Sequence, residues 1–158
     1  MANASLLSAV AQDWLRASGF ETDNLNSRID NGMSSLMVAA RHARADIVAE
    51  LLEAGADVNL LNDDENPALW FACVGGDLGI VRRLIEAGAN LDNQNVNGAT
   101  SLIYAASAGK RAVVEALVEA GADLSRQTLD GFTALDSAAT LPVLKYLKPR
   151  YAAAALPV

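Results

Sequence analysis

At 158 residues, with a 52% hydrophobic fraction, the chain is of a length for one domain. Its net charge of −7, from 19 acidic against 12 basic side chains, argues against a nucleic-acid ligand, which needs a basic patch to neutralise phosphates. A single cysteine, Cys73, and a single histidine, His42, exclude an internal disulfide, a cysteine-cluster metal site and a histidine-pair zinc motif.

The first residues, Met1 to Leu7, carry no basic region, and the apolar stretch that follows is broken by Gln12 and Asp13. No signal peptide and no membrane-spanning run is expected, and the cytoplasm is the expected compartment. Residues 5–17 are predicted as a short amphipathic helix. Leu6, Leu7, Val10, Trp14 and Leu15 fall at helical spacing, and Gly19 is its stop signal. Trp14–Gly19 resembles Glu50–Gly55, so residues 1–29 read as a degenerate N-terminal cap.

A 33-residue beat then takes over. Gly55, Gly88 and Gly121 each lie inside Ala-Gly-Ala; Leu36, Leu69, Leu102 and Leu135 keep the same period, as do Ala39, Ala72, Ala105 and Ala138. Such a period means a repeat array in which each unit buries its apolar face against its neighbours. Repeat 1 spans 30–62: a turn at Asp30-Asn31-Gly32, a helix capped by Ser34, and a second helix from about Asp46 carrying Ile47, Val48, Leu51 and Leu52. Gly55 supplies the left-handed residue that ends it. Repeat 2 (63–95) and repeat 3 (96–128) follow the same plan. Repeat 4 opens normally at Asp130-Gly131-Phe132-Thr133-Ala134-Leu135, but Val143-Leu144 arrives three residues early. The inter-helix turn is cut to about Thr140-Leu141-Pro142, and the chain is expected to leave the repeat at Lys148-Pro149. Residues 129–148 therefore read as a truncated C-terminal cap and 149–158 as a tail.

This pattern resembles the ankyrin repeat family. Ala54-Gly55-Ala56-Asp57-Val58-Asn59, Ala87-Gly88-Ala89-Asn90-Leu91-Asp92 and Ala120-Gly121-Ala122-Asp123-Leu124 match the end of the family unit. Asn97-Gly98-Ala99-Thr100-Ser101-Leu102 and Asp130-Gly131-Phe132-Thr133-Ala134-Leu135 match its start. The family's Thr-Pro-Leu-His is nowhere complete. Met37, Trp70, Ile103 and Asp136 stand where its histidine would, either repacked or released for binding. The resemblance implies an all-α repeat solenoid, an ankyrin-type stack of helix-turn-helix units joined by short β-hairpins or turns. It also implies a concave face built from hairpin tips and the exposed side of each first helix, where such proteins bind other proteins.

Helical geometry places the candidate partner-binding residues on that face. From the first helices come Val38, Arg41, His42, Trp70, Phe71, Val74, Tyr104 and Ser107. From the hairpin tips come Met33, Asp63, Asp64, Asn66, Val96, Asn97, Leu129, Asp130 and Phe132. Trp70, Phe71 and Tyr104 are either binding anchors or simply packed between helices. Asp63-Asp64-Glu65 is either a solvated turn or a contact for a basic partner. Cys73 reads as a buried thiol. Arg82-Arg83 and Lys110-Arg111, away from the tips, read as solvated surface.

The expected function is a small, cytoplasmic and bacterial protein-binding module, an adaptor or inhibitor, monomeric on its own and without cofactor or metal. The alternatives are an immunity-type or regulatory inhibitor masking a basic enzyme or toxin, and a structural protein that self-associates. Catalysis is not expected: there is no nucleophile elbow, no phosphate-binding glycine loop and no metal-ligand cluster. No membrane or nucleic-acid partner is expected.

Overall fold

The computed structural model describes residues 3–158; the first two residues of the expected cap lie outside the described residues. It contains eight α-helices and one two-stranded hairpin. The helices are α1 (Ala9–Ala17), α2 (Ser35–Arg41), α3 (Ala45–Glu53), α4 (Ala68–Gly75), α5 (Leu78–Glu86), α6 (Ser101–Ser107), α7 (Arg111–Glu119) and α8 (Leu141–Ala153). Strand β1 (Arg28–Ile29) pairs antiparallel with β2 (Met33–Ser34), with Arg28 opposite Ser34 and Ile29 opposite Met33. The chain divides into two compact units, one ending at Ala89 and the other covering Asn90–Val158.

In the first unit, α2 and α3 form one antiparallel pair and α4 and α5 the next, with α2 against α4 and α3 against α5. The beat of the sequence is the core of these pairs. Leu36 and Leu69, Ala39 and Ala72 are buried, as are Ile47, Val48, Leu51, Ile80, Val81 and Leu84. Each buried Leu or Ile contributes about 1.5–3 kcal/mol. Ala-Gly-Ala has a local explanation. Gly55 adopts φ 88°, and the following Ala56 N–H returns to the Leu51 carbonyl at 2.9 Å, which satisfies an open carbonyl at the end of α3 and buries Ala56. Gly88 and Ala89 repeat this at the end of α5.

The N-terminal helix departs from expectation. It begins at Ala9, capped by Ser8, whose hydroxyl accepts the Ala11 N–H at 3.2 Å, while Ala4–Leu6 form a separate single 3₁₀ turn. The buried stripe is Leu7, Ala11 and Leu15; Leu6 and Val10 point to solvent. The reason is docking rather than spacing. The Ser8 N–H and hydroxyl both donate to the Glu50 carboxylate of α3, at 2.8 and 2.9 Å, and this sets which side of α1 faces inward. Trp14 stacks on Phe20, with centroids 6.4 Å apart.

In the second unit, α6 and α7 repeat the pair, with Leu102, Ala105, Ala106, Val113, Val114 and Leu117 buried. Repeat 4 has no first helix: after Thr133 the chain makes one turn over Ala134–Ser137 and is tied back by the Ala139 N–H donating to the Ala106 carbonyl at 3.1 Å. Three missing residues leave no room for two helical turns and the left-handed connector that Gly109 provides after α6. Two expectations are corrected here. Leu141 and Pro142 are the first turn of α8, not an inter-helix turn, because proline is tolerated where its missing N–H has no partner to lose. The chain also does not leave the repeat at Lys148-Pro149: α8 continues through Pro149 to Ala153. Tyr151, fully buried, anchors that last turn by donating its hydroxyl to the Leu124 carbonyl at 2.6 Å.

Candidate functional site

The hairpin tips are built from one recurring device. Asn62, Asn95 and Thr128 lie 33 residues apart at the start of successive loops. Asn62 Oδ1 accepts the N–H groups of Asp64 and Asn66 at 3.2 and 2.9 Å. Asn95 Oδ1 accepts those of Asn97 and Ala99, both at 3.0 Å. Thr128 Oγ1 accepts that of Phe132 at 3.2 Å. Backbone bonds from Asn62 to Asn66, Asn95 to Ala99 and Thr128 to Phe132 close each loop at 2.9–3.0 Å. A buried amide that satisfies two turn N–H groups makes the tip rigid, since freeing it would strand those donors.

Loops within each unit are also tied to one another. In the first, the Asp63 N–H donates to the Asn31 carbonyl at 3.0 Å, and Asn31 Nδ2 donates to Asp64 at 3.0 Å. In the second, the Leu129 N–H donates to the Asn97 carbonyl at 3.0 Å. A further ladder runs below the tips. Asn26 and Asp92 accept the backbone N–H groups of Asp57 and Asp123 at 2.9 and 2.7 Å, and Asp57 and Asp123 in turn hold the N–H of the residue two further on. This is the work of the polar residues that follow each Ala-Gly-Ala, here Asp57-Val58-Asn59 and Asp123-Leu124-Ser125. Hydrogen bonds from Ser125 and the nearby Arg126 hold the Asp123 carboxyl below its ordinary range.

The side chains these loops present differ between the units. The first unit presents Asp63, Asp64 and Glu65, all exposed. The second presents Val96, Asn97, Leu129, Asp130 and Phe132; Leu129 is 79%, Phe132 54% and Val96 47% exposed. On the first helices Arg41, His42 and Ser107 are exposed, and Val38, Trp70, Val74 and Tyr104 are half-buried.

Three expected surface residues are buried instead: Met33, Asn66 and Phe71. Met33 belongs to the β1–β2 pairing, and the Asn66 N–H and carbonyl are both consumed in closing the loop on Asn62. Phe71 sits on α4, where Ala68, Leu69, Ala72 and Cys73 are buried too. A helix that close to its neighbour leaves a large ring little solvent.

The positions where the family histidine would stand are settled individually. Met37 and Ile103 are buried, and Trp70 is half-buried. Met37 also closes its own helix start: Ser34 Oγ accepts the Met37 N–H at 3.3 Å and Met37 Sδ accepts the Ser34 N–H at 3.4 Å. Asp136 makes the equivalent closure with Thr133, accepting its N–H at 2.9 Å and its hydroxyl at 2.7 Å. Met37 and Asp136 cap, and Ile103 fills the core.

Asn62 and Asn95, which no motif marks as functional, have one signal in the sequence: they keep the 33-residue period. Glu65 has another. It stands where the other three loops carry Gly32, Gly98 and Gly131, and it adopts the same left-handed φ, 62°. A side chain there costs about 1–2 kcal/mol. Replacing Glu65 with Gly is therefore expected to raise stability by about 1 kcal/mol, read as a higher urea midpoint at unchanged slope.

Helix pairs repeated at a 33-residue period and joined by braced loops define a helical repeat protein. The family model for ankyrin repeats in three copies matches residues 36–128 and again 69–154, and the chain belongs to the ankyrin repeat family. Ankyrin repeats are generally protein–protein interaction modules and are typically non-enzymatic. A comparison with curated proteins yields no match to this chain. Among the described residues no helix is long and apolar enough to cross a membrane.

Proposed function

We propose that this chain binds a partner protein through its hairpin tips and the exposed sides of its first helices, as an adaptor or inhibitor with no catalytic step of its own. The observation that carries this is the cluster of Val96, Leu129 and Phe132 on two loops joined by the Leu129–Asn97 hydrogen bond. Three large apolar side chains held in water on braced loops are a cost to the free protein and an anchor for a bound one. Because the loops are already hydrogen-bonded, little ordering entropy is lost on binding.

A second reading, a regulatory or immunity-type inhibitor covering a basic enzyme or toxin, draws support from the first unit's tips. Asp63, Asp64 and Glu65 are all exposed, and Glu65 is held in a conformation glycine would adopt more cheaply. Acidic tips of this kind act chiefly on the rate of encounter with a basic surface.

One experiment tests both readings. A protein captured from extract of the source cells is identified by mass spectrometry, purified, and titrated against three forms of the chain. Leu129→Ser with Phe132→Ser is expected to weaken binding by about tenfold or more, mostly through faster dissociation. Asp63→Lys with Asp64→Lys is expected to slow association, with the difference vanishing at high salt, if the partner is basic. Equal affinity for wild type and the Leu129/Phe132 variant would remove the tips as the binding surface.

A further inference from the structure

The first and last helical segments each leave an apolar pair uncovered. Leu6, on the 3₁₀ turn before α1, and Val10, on α1, are each 62% exposed, and Val10 shares an exposed side of the helix with Asp13 and Ala17. On α8, Leu141 is 59% and Leu144 38% exposed, on one side with Lys145 and Lys148, at spacings of three, four and seven residues. Neither pair belongs to the loops and helix faces assigned to partner binding.

The two segments carry opposite net charge. Beyond Asp136 the only charged side chains are Lys145, Lys148 and Arg150, so this segment is +3 in a chain of −7, and the remainder is −10. Around α1, residues 3–27 hold Asp13, Glu21 and Asp23 against Arg16 alone, a net −2. The positive face cannot be satisfied by another copy of itself, because α8 against α8 would oppose lysines to lysines.

We propose that a second copy of this chain covers them: the exposed face of α8 in one copy seats on the exposed face of α1 in the next. Leu141 and Leu144 meet Leu6 and Val10, and Lys145 and Lys148 lie toward the acidic residues of the α1 segment. The contact pairs two different surfaces, α8 of one copy with α1 of the other. Two apolar pairs are a small area, so the association is weak, and its ionic part weakens with salt. It goes beyond the partner-binding reading and does not depend on it.

Sedimentation equilibrium tests this with three preparations, loaded from about 10 μM to about 1 mM, the range in which mass action reveals a weak contact. Wild type is expected to rise continuously above the 16.5 kDa monomer mass, and to rise less at high salt. Lys145→Glu with Lys148→Glu makes both faces acidic; Asp13→Lys with Glu21→Lys makes both basic. Each variant alone is expected to stay monomeric, and an equimolar mixture to associate again. Circular dichroism of the four exposed substitutions confirms that the fold is kept. A monomeric wild type at the highest loading would overturn the proposal, as would an Asp13/Glu21 variant that associates like wild type.

Discussion

Replacing Tyr151 with Ala is expected to destabilise the second unit by about 3–5 kcal/mol, as for a large aromatic side chain removed from a fully buried site. The ring lies in the last turn of α8, past a proline, and its hydroxyl donates to the Leu124 carbonyl at 2.6 Å. Tyr151→Phe keeps the ring and loses only that bond, so about 0.5–1.5 kcal/mol is expected. A chain stopped at Lys148 should behave like the alanine variant. Urea unfolding of the three forms checks this; a truncated chain as stable as wild type would show that the last turn contributes nothing.

The same residue sets an alkaline limit. Burial pushes the Tyr151 phenol above its ordinary value of 10.0. The folded protein then holds the proton more tightly than the unfolded chain. The stabilisation is complete below about pH 10 and is lost as the pH rises through the folded value. Wild type should lose more stability than Tyr151→Phe between pH 9 and pH 11, by a comparison of urea midpoints about one unit either side of the unfolded value.

Gly75→Ala is the second large effect expected, and its sign is opposite to what helix propensity alone suggests. Gly75 ends α4 with ordinary helical backbone, so alanine would be favoured there by about 1 kcal/mol in isolation. Its Cβ, however, would stand 2.6 Å from the Ala40 carbonyl oxygen and 2.8 Å from that of Arg41. Both are backbone atoms at the end of α2 and neither can rotate away. A net loss of about 1–3 kcal/mol is expected, with α2 and α4 forced apart. Gly121→Ala is the control: it has φ 98° and nothing within 4 Å of the added carbon, so only the left-handed strain of about 1 kcal/mol applies. Thermal unfolding of the two variants should rank Gly75→Ala as the more damaging, and the reverse order would mean that α2 and α4 can separate cheaply.

The repeat itself was legible because it is written three times over. Gly55, Gly88 and Gly121 need a backbone that other residues avoid, and Leu36, Leu69 and Leu102 need the same buried slot in each unit, so both recur wherever the unit recurs. The fourth slot shows the limit. Leu135 is buried, but Ala138 is only half-buried, because the helix that would carry it inward does not form in the shortened repeat. The three-residue shortfall was visible; its consequence, one turn in place of a helix and a longer α8 behind it, was not.

The candidate surface was legible only in outline. Val96, Leu129 and Phe132 stand exposed on loops, whereas Phe71, at the same helical position as Tyr104, is buried while Tyr104 is half-buried. Periodicity assigns residues to faces of a helix, but how closely a neighbour approaches a given face depends on residues elsewhere. For α4 the close approach to α2 is set by Gly75.

The order of the units, their helix-turn-helix plan, the glycine-terminated second helices and the family follow from the sequence by itself, since each rests on local conformational demands repeated at a 33-residue period. Which side of α1 faces inward, which aromatic rings remain in water and where α8 ends were decided only by the tertiary structure. Those outcomes depend on partners distant in the chain: Glu50 for Ser8, Ala40 and Arg41 for Gly75, and Leu124 for Tyr151. A pattern read along the chain carries no measure of the distances between them.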